Sequence, residues 1–321
     1  MSSVGGAGHA GHGAPAALDT ESPRGAAPET PAAADPHAAH RAGSGTTATP
    51  VRPTERLKVD LSTRPREARV GKPVRLAFDI RGADGRPARL ATVHEKKVHT
   101  IVVSNDLSEF QHIHPVRGAD KYVVDYTPAK AGGHTVFAEM TPEGRDAKTA
   151  LERFDLDVAG RSLPVPLKVD LEPKTVKNLD VSLELEPKTV RAGKPVKLSF
   201  ALRDPATGRA PDKMEKFLGA KGHAVATNVD RDGLIHAHPL DEAMPGMPGL
   251  PGMGGDAAAS HVRHAVEQRA RRGPADAPAA ATRIEFEATF PKPGLYKVWG
   301  QFRRDGKDVV APFVVEVKGR S

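Results

Sequence analysis

The sequence predicts an all-β protein: two tandem immunoglobulin-like antiparallel β-sandwiches behind a disordered N-terminal tail. Three observations predict it. Apolar and polar residues alternate along runs of strand length, one strand-rich unit of roughly 100 residues occurs twice, and the first 55 residues hold almost no large apolar side chains.

The alternation is clearest at Val74, Leu76, Phe78 and Ile80, which share one face, against Arg75, Ala77 and Asp79 on the other. Phe154, Leu156 and Val158 alternate in the same way with Asp155 and Asp157. A period of two, interrupted by turn signals such as Asp84-Gly85, marks half-buried antiparallel strands. With 31 Gly, 29 Pro and only 4% aromatic residues, short strands and many turns are favoured over long helices.

The duplication is legible in two stretches. Val70-Gly71-Lys72-Pro73-Val74 through Phe78 matches Ala192-Gly193-Lys194-Pro195-Val196 through Phe200, and Lys130 through Phe137 matches Lys292 through Trp299. Repetition of one unit that needs a partner sheet to bury its face is what a tandem sandwich requires. A shorter repeat, Leu171–Val176 against Leu185–Val190, doubles a first strand, and one copy is read as connector. The resulting division is a tail at 1–55, sandwiches at 56–160 and 181–319, a connector at 161–180, and a flexible insertion at 241–281.

The tail cannot offset the entropy of ordering; its His9, His12, His37 and His40 are read as incidental to a solvated linker. The insertion opens on a Met-Pro-Gly run holding Met244, Met247 and Met253, a low-complexity expansion that forms neither helix nor strand. A short helix is expected after it, with Asp256 as N-cap and Gly273-Pro274 as the stop. It carries His261 and His264 one turn apart.

Composition excludes several functions. The formal charge is +7 and the pI about 9.5, yet Lys and Arg interleave with Asp and Glu, and the densest run, Arg269 to Arg272, has no aromatic residue near it. A phosphate-binding surface needs concentrated charge, so nucleic acid is not expected as a partner. The absence of cysteine removes disulfides, thiolate metal sites and cysteine nucleophiles. No apolar run reaches the ~20 residues of a membrane span. Met1 to Gly6 has neither the basic nor the apolar region of an export signal, which alone predicts the cytoplasm. No nucleophile elbow, P-loop or dinucleotide fingerprint is present, and the chain is read as non-enzymatic.

The residues that carry chemistry emerge when the copies are laid together. His99 is followed by His112 and His114, and His223 by His236 and His238, at identical spacings. In the window ending at Pro115 and Pro239 the copies agree only at these histidines, the proline, and Asp106 with Asp230. A hairpin turning between Asp106 and Leu107 puts His99 opposite His114 and Ile101 opposite His112. Directly opposed residues have Cβ atoms about 4.5–5.5 Å apart, so three imidazoles converge on one ion at metal–nitrogen distances of roughly 2.0–2.1 Å. The second hairpin, turning between Asp230 and Arg231, repeats the arrangement. Each hairpin is thus expected to hold its own ion, copper first and zinc second, since imidazole without thiolate suits these ions. Glu95 adds a carboxylate to the first copy, where the second has Gly219. A His-x-His-Pro strand end also serves simply to order a hairpin, and a structural or protein-interaction module remains the alternative.

The segment from His99 to Pro115, with Pro293 through Phe302 as a later strand, resembles a bacterial family of secreted or membrane-anchored tandem sandwich domains. It is more distantly similar to the copper-handling domains of the CopC and YtkA type. The resemblance implies a periplasmic or extracellular location and copper buffering or delivery to a protein partner.

Overall fold

The computed structural model describes residues 46–47, 49–50, 57–144, 147–241 and 281–320. The tail histidines, the methionine-rich run and the helix expected after Asp256 lie outside the described residues. Among the described residues every regular element is a strand.

Two short strands come first, β1 (Thr46–Thr47) and β2 (Thr49–Pro50). The first sandwich comprises β3 (Leu57–Arg64), β4 (Ala68–Arg69), β5 (Val74–Gly82), β6 (Val98–Ser104), β7 (Phe110–Ile113), β8 (Val116–Arg117), β9 (Tyr122–Tyr126), β10 (Gly132–Met140) and β11 (Ala150–Ala159). The second comprises β12 (Lys174–Val176), β13 (Leu179–Glu186), β14 (Val190–Arg191), β15 (Pro195–Arg203), β16 (His223–Asn228), β17 (Gly233–Ala237), β18 (Thr282–Thr289), β19 (Gly294–Arg304) and β20 (Lys307–Lys318).

In the first sandwich the sheets run β3-β5-β9-β8 and β4-β11-β10-β6-β7; in the second the common strands run β13-β15-β18 and β14-β20-β19-β16-β17. The order is the same, with Val74 of β5 and Val196 of β15 in equivalent places. The alternation explains the cores. In β5, Val74, Leu76, Phe78 and Ile80 are buried, and in the second sandwich Phe200 packs edge-on against Phe286, Phe302 and Phe313 at ring separations of 5.5–6.0 Å. Each such side chain contributes on the order of 1.5–3 kcal/mol by burial. Gly300 is required by this packing, since a Cβ there would stand 2.5 Å from the Phe200 ring.

Two boundaries differ from those the sequence suggests. Residues 46–47 pair in parallel with β18, and residues 49–50 pair antiparallel with β17, so the last part of the expected tail belongs to the second sandwich. Both strands use open sheet edges, whose unpaired amides accept any extended segment of the chain. The expected connector is likewise shortened: Lys174–Val176 is a strand added beside β13, which itself begins at Leu179.

A third difference matters most for the site. β6 and β16 are buried at every position rather than on alternate residues. The sheet β4-β11-β10-β6-β7 packs its outer face on that of β14-β20-β19-β16-β17, making a second apolar layer from Ile101, Val103, Phe137, Val225, Leu234 and Trp299. Phe110 stacks on Trp299 across it, with ring centroids 4.5 Å apart. His99, His112 and His114 lie on this outer face, as do His223, His236 and His238. The sandwiches therefore bury His99, His223 and His236 between them and half-bury His112, His114 and His238.

Candidate metal centre

The hairpins form in the expected register. Ile101 pairs with His112, and Val225 with His236. Leu107 and Arg231 occupy equivalent turn positions with φ of 58° and 53°. In the first turn the Asp106 carboxylate accepts from the Ser104 and Ser108 hydroxyls, the Val165 amide and the Lys130 ammonium. In the second turn the corresponding lysine, Lys292, reaches Asp232, so Asp230, though identical to Asp106 in sequence, does not take over its ion pair.

In the first copy three ring nitrogens face one another. His114 Nε2 lies 3.2 Å from His99 Nδ1 and 3.1 Å from His112 Nε2, and those two are 3.4 Å apart. A triangle of that size is what three imidazoles make around an ion held at roughly 2.0–2.1 Å. In the second copy His236 Nε2 lies 3.3 Å from His223 Nδ1. His238 Nε2 is buried there with no hydrogen-bond partner among the described residues. The ligand atoms of His223, His236 and His238 lie within 4.8 Å of one another.

The outward nitrogens fix which atoms keep their lone pairs. His99 Nε2 donates to the Val93 carbonyl at 3.0 Å, and His223 Nε2 to the equivalent Phe217 carbonyl at 2.9 Å. A carbonyl only accepts, so each Nδ1 of these neutral rings presents a lone pair to the cluster. The other two brackets cross between sandwiches: His236 Nδ1 donates to Glu139 Oε2 at 2.7 Å, and His112 Nδ1 to Gln301 Oε1 at 3.2 Å. Glu139 and Gln301 hold equivalent positions on β10 and β19, paired with His99 and His223 respectively. Histidines that ligate metals are held in this way, the outer N–H given to a carbonyl or carboxylate so that the inner nitrogen stays free.

The two triads adjoin. The His236 ring lies 5.1 Å from that of His99 and 4.9 Å from that of His112, and ligand atoms of His99, His112 and His236 also gather within 4.8 Å. Each hairpin keeps its own three rings together, and packing the two outer faces sets the triads side by side in one six-histidine cluster. Glu95 is exposed in its turn beside Gly219 and supplies no ligand atom to either group.

Burial sets the electrostatics. It lowers the pKa of His114 and His223 to about 3, and those of His99, His112, His236 and His238 also fall, with repulsion from neighbouring rings adding to the effect. Burial pushes Glu139 upward, against the pull of His99 and His94. The four rings whose outer N–H is taken, those of His99, His112, His223 and His236, are in the neutral, inward-facing state that a cation needs.

Three residues escaped the sequence reading. His94 stacks on His238 with centroids 3.5 Å apart, and Glu139 and Gln301 bracket the cluster. The duplication already aligns Phe137 with Trp299; two residues further, it puts a polar Glu139 over a polar Gln301 inside apolar strands. His94 has no counterpart signal, since Leu218 holds its place. A cleft of about 180 Å³ lined by His94, Lys97, His99, Glu139, His236 and His238 leads to the cluster.

Fold and site together define a class: a tandem β-sandwich protein whose paired sheets enclose a histidine cluster able to hold metal. The chain belongs to the family described as "Domain of unknown function (DUF8832)", whose model matches residues 52–159 and 174–319, one stretch for each sandwich. No curated protein matches the chain. Among solved structures it is similar to Salmonella alpha-2-macroglobulin reacted with methylamine, at 15% identity and a TM-score of 0.26, covering 84% of this chain and 15% of that one. It is also similar to the Escherichia coli adhesin FdeC, at 14% identity and a TM-score of 0.23, covering 82% of this chain and 64% of the adhesin. A putative membrane-anchored protein of Corynebacterium diphtheriae matches at 11% identity and a TM-score of 0.20, over 83% of this chain and 58% of its own. The chain thus spans only part of each, and likenesses this distant carry no inference about the site.

Proposed function

We propose that the protein binds a transition-metal ion, copper in preference to zinc, at the interface of its two sandwiches, and that it buffers the ion or delivers it to a partner rather than performing catalysis. The observation that carries this reading is the fixed orientation of the rings. His99 and His223 spend their outer N–H groups on backbone carbonyls and direct lone pairs at neighbouring ring nitrogens 3.2–3.4 Å away. Buried lone pairs facing one another cost about 1–3 kcal/mol each unless something satisfies them, and a cation satisfies all of them at once. With no cysteine in the chain, the donor set is imidazole, which suits copper and zinc. An extracytoplasmic location fits the family resemblance at His99–Pro115.

A second reading is favoured by the cross-sandwich bonds, His236 to Glu139 and His112 to Gln301, which join the domains without any ion. In that case the chain is an interaction module and the histidines are its clasp. Metal analysis of the full-length chain with His9, His12, His37, His40, His261 and His264 replaced by alanine separates the two. The metal reading expects tight binding that is lost when His112, His114, His236 and His238 are replaced by alanine as well. Binding no tighter than ~0.1 mM, the weak end expected of an adventitious site, gives the structural reading instead.

A further inference from the structure

The two halves of the cluster match in histidines but not in charge. The first sandwich brings His94 and Glu139 against the triad of His223, His236 and His238: His94 stacks on His238, and Glu139 accepts from His236. At the equivalent positions the second sandwich has Leu218 and Gln301, so the triad of His99, His112 and His114 receives a neutral amide. Among the described hydrogen bonds, one carboxylate touches the six rings. The cleft reaches Glu139 and two rings of one triad, His236 and His238, but only His99 of the other.

Taking the metal-binding reading above as its basis, we infer that the cluster offers two unequal cation positions filled in a fixed order. The first is His223, His236 and His238 beside Glu139; the second is His99, His112 and His114, and it fills only when both ions are monovalent. The triads stand about one imidazole apart, with rings of opposite triads 4.9–5.8 Å from each other. Repulsion scales with the product of the charges, so two divalent ions repel four times as strongly as two monovalent ones at the same separation. One carboxylate compensates two monocations to a net single charge, whereas two dications leave three charges buried. The cluster therefore counts charge: one Zn²⁺ or two Cu⁺ per chain.

The test uses the full-length chain with His9, His12, His37, His40, His261 and His264 replaced by alanine. It is dialysed against Zn²⁺, or anaerobically against Cu⁺ supplied as its acetonitrile complex, and bound metal is counted. The expected result is one tight Zn²⁺ and two tight Cu⁺. E139Q should weaken Zn²⁺ and the first Cu⁺ by roughly 10–100-fold, the range for loss of an outer hydrogen-bond partner. Q301E, which gives the second triad a carboxylate of its own, should admit a second Zn²⁺, and it keeps the inference testable if E139Q fails to fold. Two Zn²⁺ bound equally by the unmodified cluster, or no gain in Q301E, overturns the charge-counting inference while leaving metal binding intact. Binding of neither ion overturns the metal reading itself.

Discussion

Glu139 Oε2 of the first sandwich accepts a hydrogen bond from His236 Nδ1 of the second at 2.7 Å, and Gln301 repeats the contact in the opposite direction with His112. Each sandwich thus orients a clustered histidine of the other. The site is a property of the interface, and interface and site stand or fall together.

Glu139→Ala should therefore destabilise the metal-free protein. It leaves the buried His236 N–H without its acceptor, which costs about 1–3 kcal/mol. Glu139→Gln keeps an acceptor and should cost less. Urea unfolding at neutral pH measures both; equal midpoints for Glu139→Ala and the parent would show that the cross-sandwich bond contributes nothing.

Trp299 is the chain's one tryptophan and is 3% exposed, stacked on Phe110 in the layer between the sandwiches. Its emission should be blue-shifted in the folded protein and quenched by Cu²⁺ bound nearby. Trp299→Ala should cost about 3–5 kcal/mol as a core truncation and weaken metal binding with it. Emission typical of exposed tryptophan in the folded protein would contradict the enclosed interface.

The pH dependence follows from the depressed histidines. His114 and His223 titrate near pH 3 when folded, against an ordinary value of 6.5. The unfolded chain binds protons below pH 6.5 that the folded chain refuses. Stability from these groups is thus complete above that pH and is lost as pH falls toward 3, at about 1.4 kcal/mol per pH unit for each such proton. Urea midpoints of the metal-free protein should decline steadily from pH 7 to pH 5. A flat profile over that window would mean the rings are not buried as described. Metal affinity, in turn, should persist below pH 6, where free imidazole would already release the ion.

Much of this was legible in the sequence. The strands, the duplication and both hairpin registers follow from local alternation and turn chemistry, because pairing within a hairpin is set by residues a few positions apart. The union of the two triads was not, because it depends on one sandwich packing on the other. Its trace is the apolar run Ile101–Val103, where alternation fails: Ile101 and Val103 face away from the first core and need a second surface to cover them. A His99 set in such a strand is read locally as belonging to its own hairpin. The strand formed by residues 49–50 went unseen for a similar reason, since an edge strand needs only extended backbone and leaves no periodicity in so short a segment.

Anomalous diffraction at the copper edge from crystals of the full-length chain soaked in copper tests the central claim most directly. The account predicts density between the sandwiches, roughly 2.0–2.1 Å from ring nitrogens, at the triad of His223, His236 and His238 and, for Cu⁺, also at that of His99, His112 and His114. Anomalous density confined to histidines outside the six, with the interface rings unchanged, would contradict it.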